Sequence, residues 1–549
     1  MRIYYRRRTG PVWLLLLLVL AIGVVTIYAA SRLVYTASLD SRALNVGLTA
    51  PVKNLEPALI ASHEERLIAS MLYEGLVRWD EAGNKIQPLL ADEWKYEENG
   101  QKIVFRLKNV QFSNGKKVQA SDIKTCWEKT LASSKEWSHM ALFLPVAGGS
   151  DFIQGKSPEI AGVKAINEKT LEVTLTAPNA AFIHMLTNPV FWIYDSQDSA
   201  RPPAGTGPFI VQQNDGQRLA LLQNENYHQG MPPLKAIEVK VFNDPAQALA
   251  EFKAGQLDYL DKVNPQNLPE LRNDPEYKRM LLEKPLYTLY GIGFNMNKKP
   301  FAGNYLLRRA MNYAVDRQAI NKDVLGEAYI PLKGILPAEL PGHNKDIPGY
   351  GYDPEKARQL LEQAGYPGGK GLSPLMLAYN QGEGHQRVAE SIASQLSEVG
   401  IPIQLAPLTW EYYKKQLASY NLALFRLEWS ADYPDSDSIL YSLFHSSHIG
   451  NSNYFGYNNH QVDKLLDASR QAVDNENERV KLLQKAEQII IDDAPCIWLF
   501  QTATAKLVQE NVDNLRVNSL NLVDWSKVVL KKPVFSDTAK TPSEGNGKV

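Results

Sequence analysis

Between Phe425 and Asp437 the chain reads FRLEWSADYPDSD, which sets Arg426, Trp429 and Asp432 close together in otherwise apolar surroundings. These are groups for gripping a zwitterion: a carboxylate takes an ammonium, a guanidinium takes a carboxylate, and an indole offers a flat apolar wall. If Phe425 to Asp432 form one unbroken strand, even spacing puts Arg426 and Asp432 on one face roughly 20 Å apart, at about 3.3 Å per residue. A bend at Ser430 voids that geometry. Ala431 and Tyr433 flank the carboxylate, and Trp410, in LTWEYYKKQL just upstream, offers a second aromatic surface. The same residue types also make an ion pair beside a core aromatic, so the segment alone leaves both readings open.

Other chemistry finds little support. His445 and His448, with His460 beyond, have a spacing that could bring two imidazoles to one metal. Ser446, Ser447, Gly450 and Asn451 mark that region as a loop, and no metal site is expected there. His63-Glu64-Glu65 begins like a zinc-protease helix, but Leu67 stands where the second His is required. GIGFNMNKKPF opens like a dinucleotide fingerprint and has Met296 in place of the third glycine. With no nucleophile elbow and no Walker loop, neither catalysis nor a cofactor is expected.

The elements that must position the segment are those of an α/β chain. ALNVGL reads as a strand, and HEERLIASMLYEGL as an amphipathic helix with Leu67, Ile68, Met71 and Leu72 on one stripe. Asn114-Gly115 is a tight-turn pair, with Ser121 or Asp122 as the N-cap of the helix that follows. GVKAINEKTLEVTL alternates like two strands around Asn167-Glu168. In GTGPF, Gly205 to Phe209, Pro208 removes the helix N-terminus that a phosphate cradle needs. DPEKARQLLEQAGY has Asp353 as N-cap, Pro354 at the first helical position and Gly365 at the end. SPLMLAYN, RVAESIASQLSEVG and IPIQLAPL then form a strand-helix-strand unit, its helix closed by Gly400.

A length of 549 residues implies about three to four domains at roughly 150 residues each. The composition, 44% apolar and 22% charged, supplies a full core, and a net charge of −1 gives no footprint for nucleic acid. Cys126 and Cys496 are read as separate buried thiols. Thr9 to Ser31 carries no charge, and Arg2, Arg6, Arg7 and Arg8 precede it against Arg32 alone after it. Val12 to Ala30 is long enough to cross most of a hydrocarbon layer of about 30 Å, and the positive-inside bias places the rest of the chain outside. The rival reading is a cleaved signal peptide ending at Ala29-Ala30-Ser31. The polar stretch beyond Leu530 is expected to be disordered.

Beyond FRLEWSADYPDSD and Trp410, the run from YEGLVRWDEAGNKIQPLLADEW through KNVQFSNGKKVQASDIKTCWE resembles bacterial extracellular solute-binding protein family 5, the receptors of ABC importers, and most of all its oligopeptide-binding members. The resemblance covers nearly all of Leu44 to Val529. It implies a two-lobed periplasmic-binding-protein type II fold of α/β class with an inserted subdomain, preceded by one N-terminal transmembrane helix. The implied segments are a cytoplasmic stretch 1–11, an anchor or signal 12–31 and a spacer 32–43. Lobe 1 is drawn from 44–73, 199–286 and 500–530, the inserted subdomain from 74–198 and lobe 2 from 287–499, with a tail 531–549. It implies that Asp432 pairs with the α-ammonium of a bound short peptide and that Trp410 and Trp429 line the cleft, with Arg426, Ala431 and Tyr433 beside them. The expected partners are short peptides, the permease and ATPase subunits of an importer, and the membrane through the N-terminal helix; the receptor is expected to act as a monomer, with no nucleic acid and no cofactor. The absence of any Cys before Cys126 excludes the lipid tether of many relatives. Two departures stand out: Glu428 where relatives carry a small residue, and Ser436 in place of a Pro, expected to loosen the turn holding Asp432. An acidic residue found early in some relatives is Ala61 here. A receptor for another solute, such as a nickel chelate, or a peptide-sensing or chaperone-like protein uncoupled from transport are the alternatives.

Overall fold

The computed structural model describes residues 42–134 and 136–532. The basic segment 1–11 and the apolar segment 12–31 lie outside the described residues, as do most of the spacer and of the tail. Among the described residues no helix is long and apolar enough to cross a membrane.

One mixed sheet organises the chain. Its principal strands, in chain order, are β1 (Leu44–Leu48), β2 (Phe209–Asn214), β3 (Arg218–Gln223), β4 (Ala236–Val241), β5 (Tyr259–Leu260), β6 (Leu281–Phe294), β7 (Leu375–Asn380), β8 (Ile403–Leu408), β9 (Leu424–Ser430) and β10 (Cys496–Val508). Their spatial order is β8-β7-β9-β6-β10-β5-β1-β4-β3-β2. β1 lies parallel to both neighbours, and LNVGL is accordingly buried along almost its whole length. β6 carries the chain from the β1 half of the sheet to the β9 half, and β10 carries it back. The two pair antiparallel from Leu281↔Leu507 to Gly293↔Cys496, with register shifts between Pro285 and Leu289 and between Tyr290 and Gly291. Such interruptions bend a ladder. Near the β5 end the crossing is braced inside the protein: Lys506 Nζ pairs with Asp261, which also accepts from Tyr259 Oη at 2.6 Å and faces His63 Nε2 at 2.8 Å. Although burial opposes it, Lys506 and His63 hold the Asp261 carboxyl far below the usual carboxylate range.

Helices cover the sheet where their caps and apolar stripes direct. α1 (His63–Leu72) opens on a capping box in which Ser62 accepts from Glu65 N at 3.1 Å. It stops at Leu72, short of the Glu74-Gly75-Leu76 that the sequence pattern includes. Tyr73 turns extended and Glu74 joins the chain at Ile193, its carboxylate held by Tyr227 Oη and His228 Nε2, both at 2.8 Å. α2 (Ala120–Ser133) starts before both N-cap candidates, Ser121 and Asp122. Gln119 is the cap, and Asp122 reaches back to its N–H at 2.9 Å from the third helical position. α3 (Pro354–Gln363) keeps the expected Asp353 cap, which accepts from Lys356 N at 2.9 Å. α4 (Glu383–Glu398) links β7 to β8, which run parallel.

A separate four-stranded sheet, built from residues 91–97, 102–107, 170–174 and 163–167 in that spatial order, packs on α2 through Trp127, Ile123 and Leu131. Tyr433, far along the chain, joins this core. Cys126 and Cys496 are both buried and unbridged.

GTGPF is a point of close approach to the end of α1. A Cβ on Gly205 would lie 2.0 Å from Leu72 O, and one on Gly207 2.5 Å from Met71 O. Backbone cannot yield cheaply to such contacts, so Gly205→Ala is expected to cost about 1–3 kcal/mol. A lowered midpoint in urea or thermal unfolding is the readout; an unchanged midpoint would show that the approach is not tight.

Candidate functional site

β9 ends at Ser430, so 425–432 is not one strand and the single-face spacing of Arg426 and Asp432 does not occur. On one side β9 pairs with β6 from Leu424 to Ser430. On the other, β7 reaches only Leu424 and Phe425, and among the described residues no strand lies beside the edge from Arg426 to Ser430. Ala431 N donates to Tyr287 O at 2.7 Å, and Arg426 O accepts from Tyr413 Oη on the opposite side. The antiparallel alternation therefore turns the main-chain groups of Glu428 and Ser430 toward that open edge.

Past the bend, Asp432 is fixed by its backbone. Its N–H donates to Ser438 Oγ at 2.7 Å, and its carbonyl accepts from Asn188 Nδ2 at 2.8 Å. The half-buried side chain lines a cavity of about 620 Å³, with Trp429, Tyr433 and Tyr441 from its own side and Trp137 and Asn179 from the region of the four-stranded sheet. Burial pushes the Asp432 carboxyl up to about 6, against the opposing pull of the Arg66 guanidinium on α1.

The turn beyond is far from loose. Asp435 pairs with Arg479 in the interior, and Arg470 takes Asp437 through Nε and Nη2, both at 2.8 Å. Tyr433 Oη donates to Asp437 at 2.6 Å. Ser436, expected to weaken the turn, is fully buried and donates to Pro341 O. Here a hydroxyl bond replaces the rigidity of a proline ring.

The other sequence candidates lie elsewhere. The Arg426 guanidinium is buried against the Tyr290 ring, 4.8 Å from its centroid, donating to Asn380 Oδ1 at 3.0 Å and paired with Glu428. That face belongs to a second cavity, of about 730 Å³, which Tyr290, Glu428, His385, Lys262 and Arg387 help to line. Burial, then the Arg426 charge, brings His385 down to about 4. Arg426 is thus not a wall of the Asp432 cavity. Trp410 opens helix α5 (Trp410–Ala418), 52% exposed and stacked on Tyr413, and lines neither cavity. Ala431 is buried.

A family model described as the middle part of the bacterial extracellular solute-binding proteins, family 5, matches residues 85–451. The chain belongs to that family. Among the curated relatives of this family 5 protein, "Heme-binding protein A" of Haemophilus influenzae is 31% identical over 80% of this chain and 84% of its own. The "Dipeptide-binding protein" of Escherichia coli is 26% identical over 84% of this chain and 89% of its own. In fold, the chain is similar to the solved E. coli murein tripeptide binding protein MppA, with a TM-score of 0.74 at 22% identity, covering 90% of this chain and all of that one. The family's members are extracellular binding proteins of the α/β type seen here.

In this family 5 protein the histidines of the 445–448 loop are occupied locally. His445 stacks on Tyr441 and its Nδ1 meets Ser447 Oγ at 2.6 Å, while His448 Nδ1 meets Ser452 Oγ at 3.0 Å. Among the described residues no group of three His, Cys, Asp or Glu could hold a metal ion. Sequence reasoning missed Arg66, Asn188, Tyr413 and Ser438. Ser438 could have been found as a hydroxyl six residues on, in the helix Asp437–Phe444. Asn188 lies 244 positions away, and no local pattern points to it.

The raised carboxyl gives a signed expectation. In an unfolded chain an Asp titrates near 3.9, so the native state holds this proton more tightly. Ionising Asp432 therefore removes stability as pH rises from about 4 to about 6, and above that the loss is complete. Asp432→Asn is expected to melt at or above the parent temperature at pH 7.5 in the absence of ligand, with the advantage gone at pH 4. A variant less stable than the parent at pH 7.5 would show that the carboxylate is well solvated.

Proposed function

We propose that this protein is the extracellular receptor of an ABC importer, capturing short peptides between the two halves of its sheet and releasing them to a permease energised by separate ATPase subunits. The observation that carries this reading is the open edge of β9, which runs from Arg426 to Ser430 and leads to the half-buried carboxylate of Asp432. An extended backbone adds to such an edge through its own N–H and C=O groups, whatever its side chains. Its ammonium supplies Asp432 with a hydrogen-bonded cation, where Arg66 acts on the carboxylate only through space. Water in the two cavities meets variable side chains at little enthalpic loss. The dipeptide in the name of the E. coli relative is ligand chemistry of this kind. Trp429 forms an apolar wall beside the first ligand residue, with Tyr433 and Ala431 behind the carboxylate, and the receptor acts as a monomer that transforms nothing. Residues 12–31 serve as an uncleaved helix that keeps the receptor at the membrane beside its permease. Intact mass of the protein taken from native membranes then retains that segment, whereas a chain beginning near Ser31 would make it a cleaved leader.

Calorimetric titration tests the grip. Asp432→Asn should lose about 2–5 kcal/mol of affinity for a peptide with a free amino terminus, the cost of breaking a desolvated charge pair. N-acetylated peptides should bind the parent correspondingly weakly. Equal affinity for acetylated and free peptides would overturn the reading. The heme in the name of the H. influenzae relative is the competing ligand, favoured here by His448 on the wall of the Asp432 cavity, since imidazole is a common axial ligand. Hemin that displaces no peptide, and whose absorption is unchanged by the protein, excludes it.

A further inference from the structure

The open edge of β9 has a charged group at each end, but the two ends are in different states. At one end the Asp432 carboxylate faces a cavity and, among the described residues, has no hydrogen-bonded cation, Arg66 acting on it only through space. At the other end Arg426, 6% exposed, is already engaged. Nη1 donates to Asn380, Nη2 is paired with Glu428, and Nε is buried with no partner. The Tyr290 ring closes one face of the guanidinium. Glu428 has its main chain on the open edge, and its carboxylate, 41% exposed, folds back over the guanidinium two residues before it.

We propose that Glu428 is a specificity-determining residue: it occupies the outward donor of Arg426 and makes the receptor insensitive or averse to a ligand carboxylate at that end of the edge. This rests on the peptide reading above and deepens it. A peptide whose ammonium meets Asp432 runs antiparallel to β9 and reaches Arg426 after about three to five residues, at about 3.3 Å each. If its carboxylate arrives there, it must either expel Glu428 into water or share one guanidinium with a second negative charge. Like charges a few ångströms apart in a partly desolvated site repel strongly. A chain that ends there in a neutral amide avoids both costs. A longer chain passes Arg426 into the larger cavity, where Lys262 and Arg387 stand ready for its carboxyl end. The site therefore reads the amino end of every ligand, and a carboxyl end only on chains longer than the edge.

The test uses the full chain in detergent and alanine-rich peptides of two to six residues, each prepared as free acid, as C-terminal amide and as N-acetyl amide. For the parent, at the lengths that end at Arg426, the amide is expected to bind as tightly as the free acid or more tightly. Glu428→Gln and Glu428→Gly should each strengthen the free acid at those lengths by roughly tenfold relative to the amide, leaving the amide itself little changed. The loss on N-acetylation should persist in all three proteins, which shows the Asp432 grip intact. A parent that prefers free acids tenfold or more at every length, with a ratio unchanged in both variants, overturns the role of Glu428 while leaving the peptide reading standing. Indifference to N-acetylation at every length overturns the peptide reading itself. Unfolding midpoints of both variants close to the parent's establish that the shift belongs to binding.

Discussion

A carboxylate drawn out of water without a hydrogen-bonded cation is costly, and much of this molecule can be understood as the bracing that cost requires. Asp432 is held by its backbone alone, through Ser438 and Asn188, so its side chain is placed without being satisfied. The charges immediately after it are treated in the opposite way. Asp435 and Asp437, both fully buried, are each matched by an arginine from a following helix. One short segment thus contains two carboxylates bonded to arginines and one whose cationic neighbour, Arg66, makes no hydrogen bond to it, and removing either bonded arginine would leave a buried charge uncompensated. The contrast marks Asp432 off from the acids that hold the fold more sharply than any motif does.

A second constraint lies where the two halves of the sheet are joined. β6 and β10 are the long strands joining the halves of the sheet, and their pairing lapses between Pro285 and Leu289. Tyr287, inside that lapse, bonds instead to Ala431 and Ser519, so the point where the ladder is weakest is tied directly to the residue before Asp432. Toward β5 the crossing is held fast by Lys506 and Asp261. The crossing is thus interrupted beside Tyr287 and braced at Asp261.

Much of this was legible in the sequence where the determinants are local. The Asp353-Pro354 cap, the strand pair around Asn167-Glu168 and the parallel unit from Leu375 to Leu408 all follow from neighbours a few positions apart. Errors arose where a distant partner decides the outcome. α1 ends at Leu72 because Glu74 is claimed by Ile193, Tyr227 and His228. Ser436 is firm because Pro341 is there to accept its hydroxyl. Asp432 was singled out by its neighbours in the chain, whereas Arg426 was matched to it on a strand that in fact ends at Ser430. The partner that Arg426 finds, Glu428, was visible as a departure in type; its direction depends on Tyr290 closing the opposite face.

The region built around the four-stranded sheet touches the Asp432 loop at several points. Asn188 donates to the Asp432 carbonyl, His184 Nδ1 lies 3.2 Å from Pro434 O, Ala180 N donates to Arg470 O, and Tyr433 is embedded among its apolar side chains. Swinging that region away would strand an amide, uncover a tyrosine and dismantle the wall of the cavity. The same region is also joined to the β1 half, where Cys126, Trp192 and Tyr194 share a core with Leu72 and Phe209, so it bridges both halves. The contacts that wall the cavity before Asp432 are therefore the ones that parting the loop from this region would break.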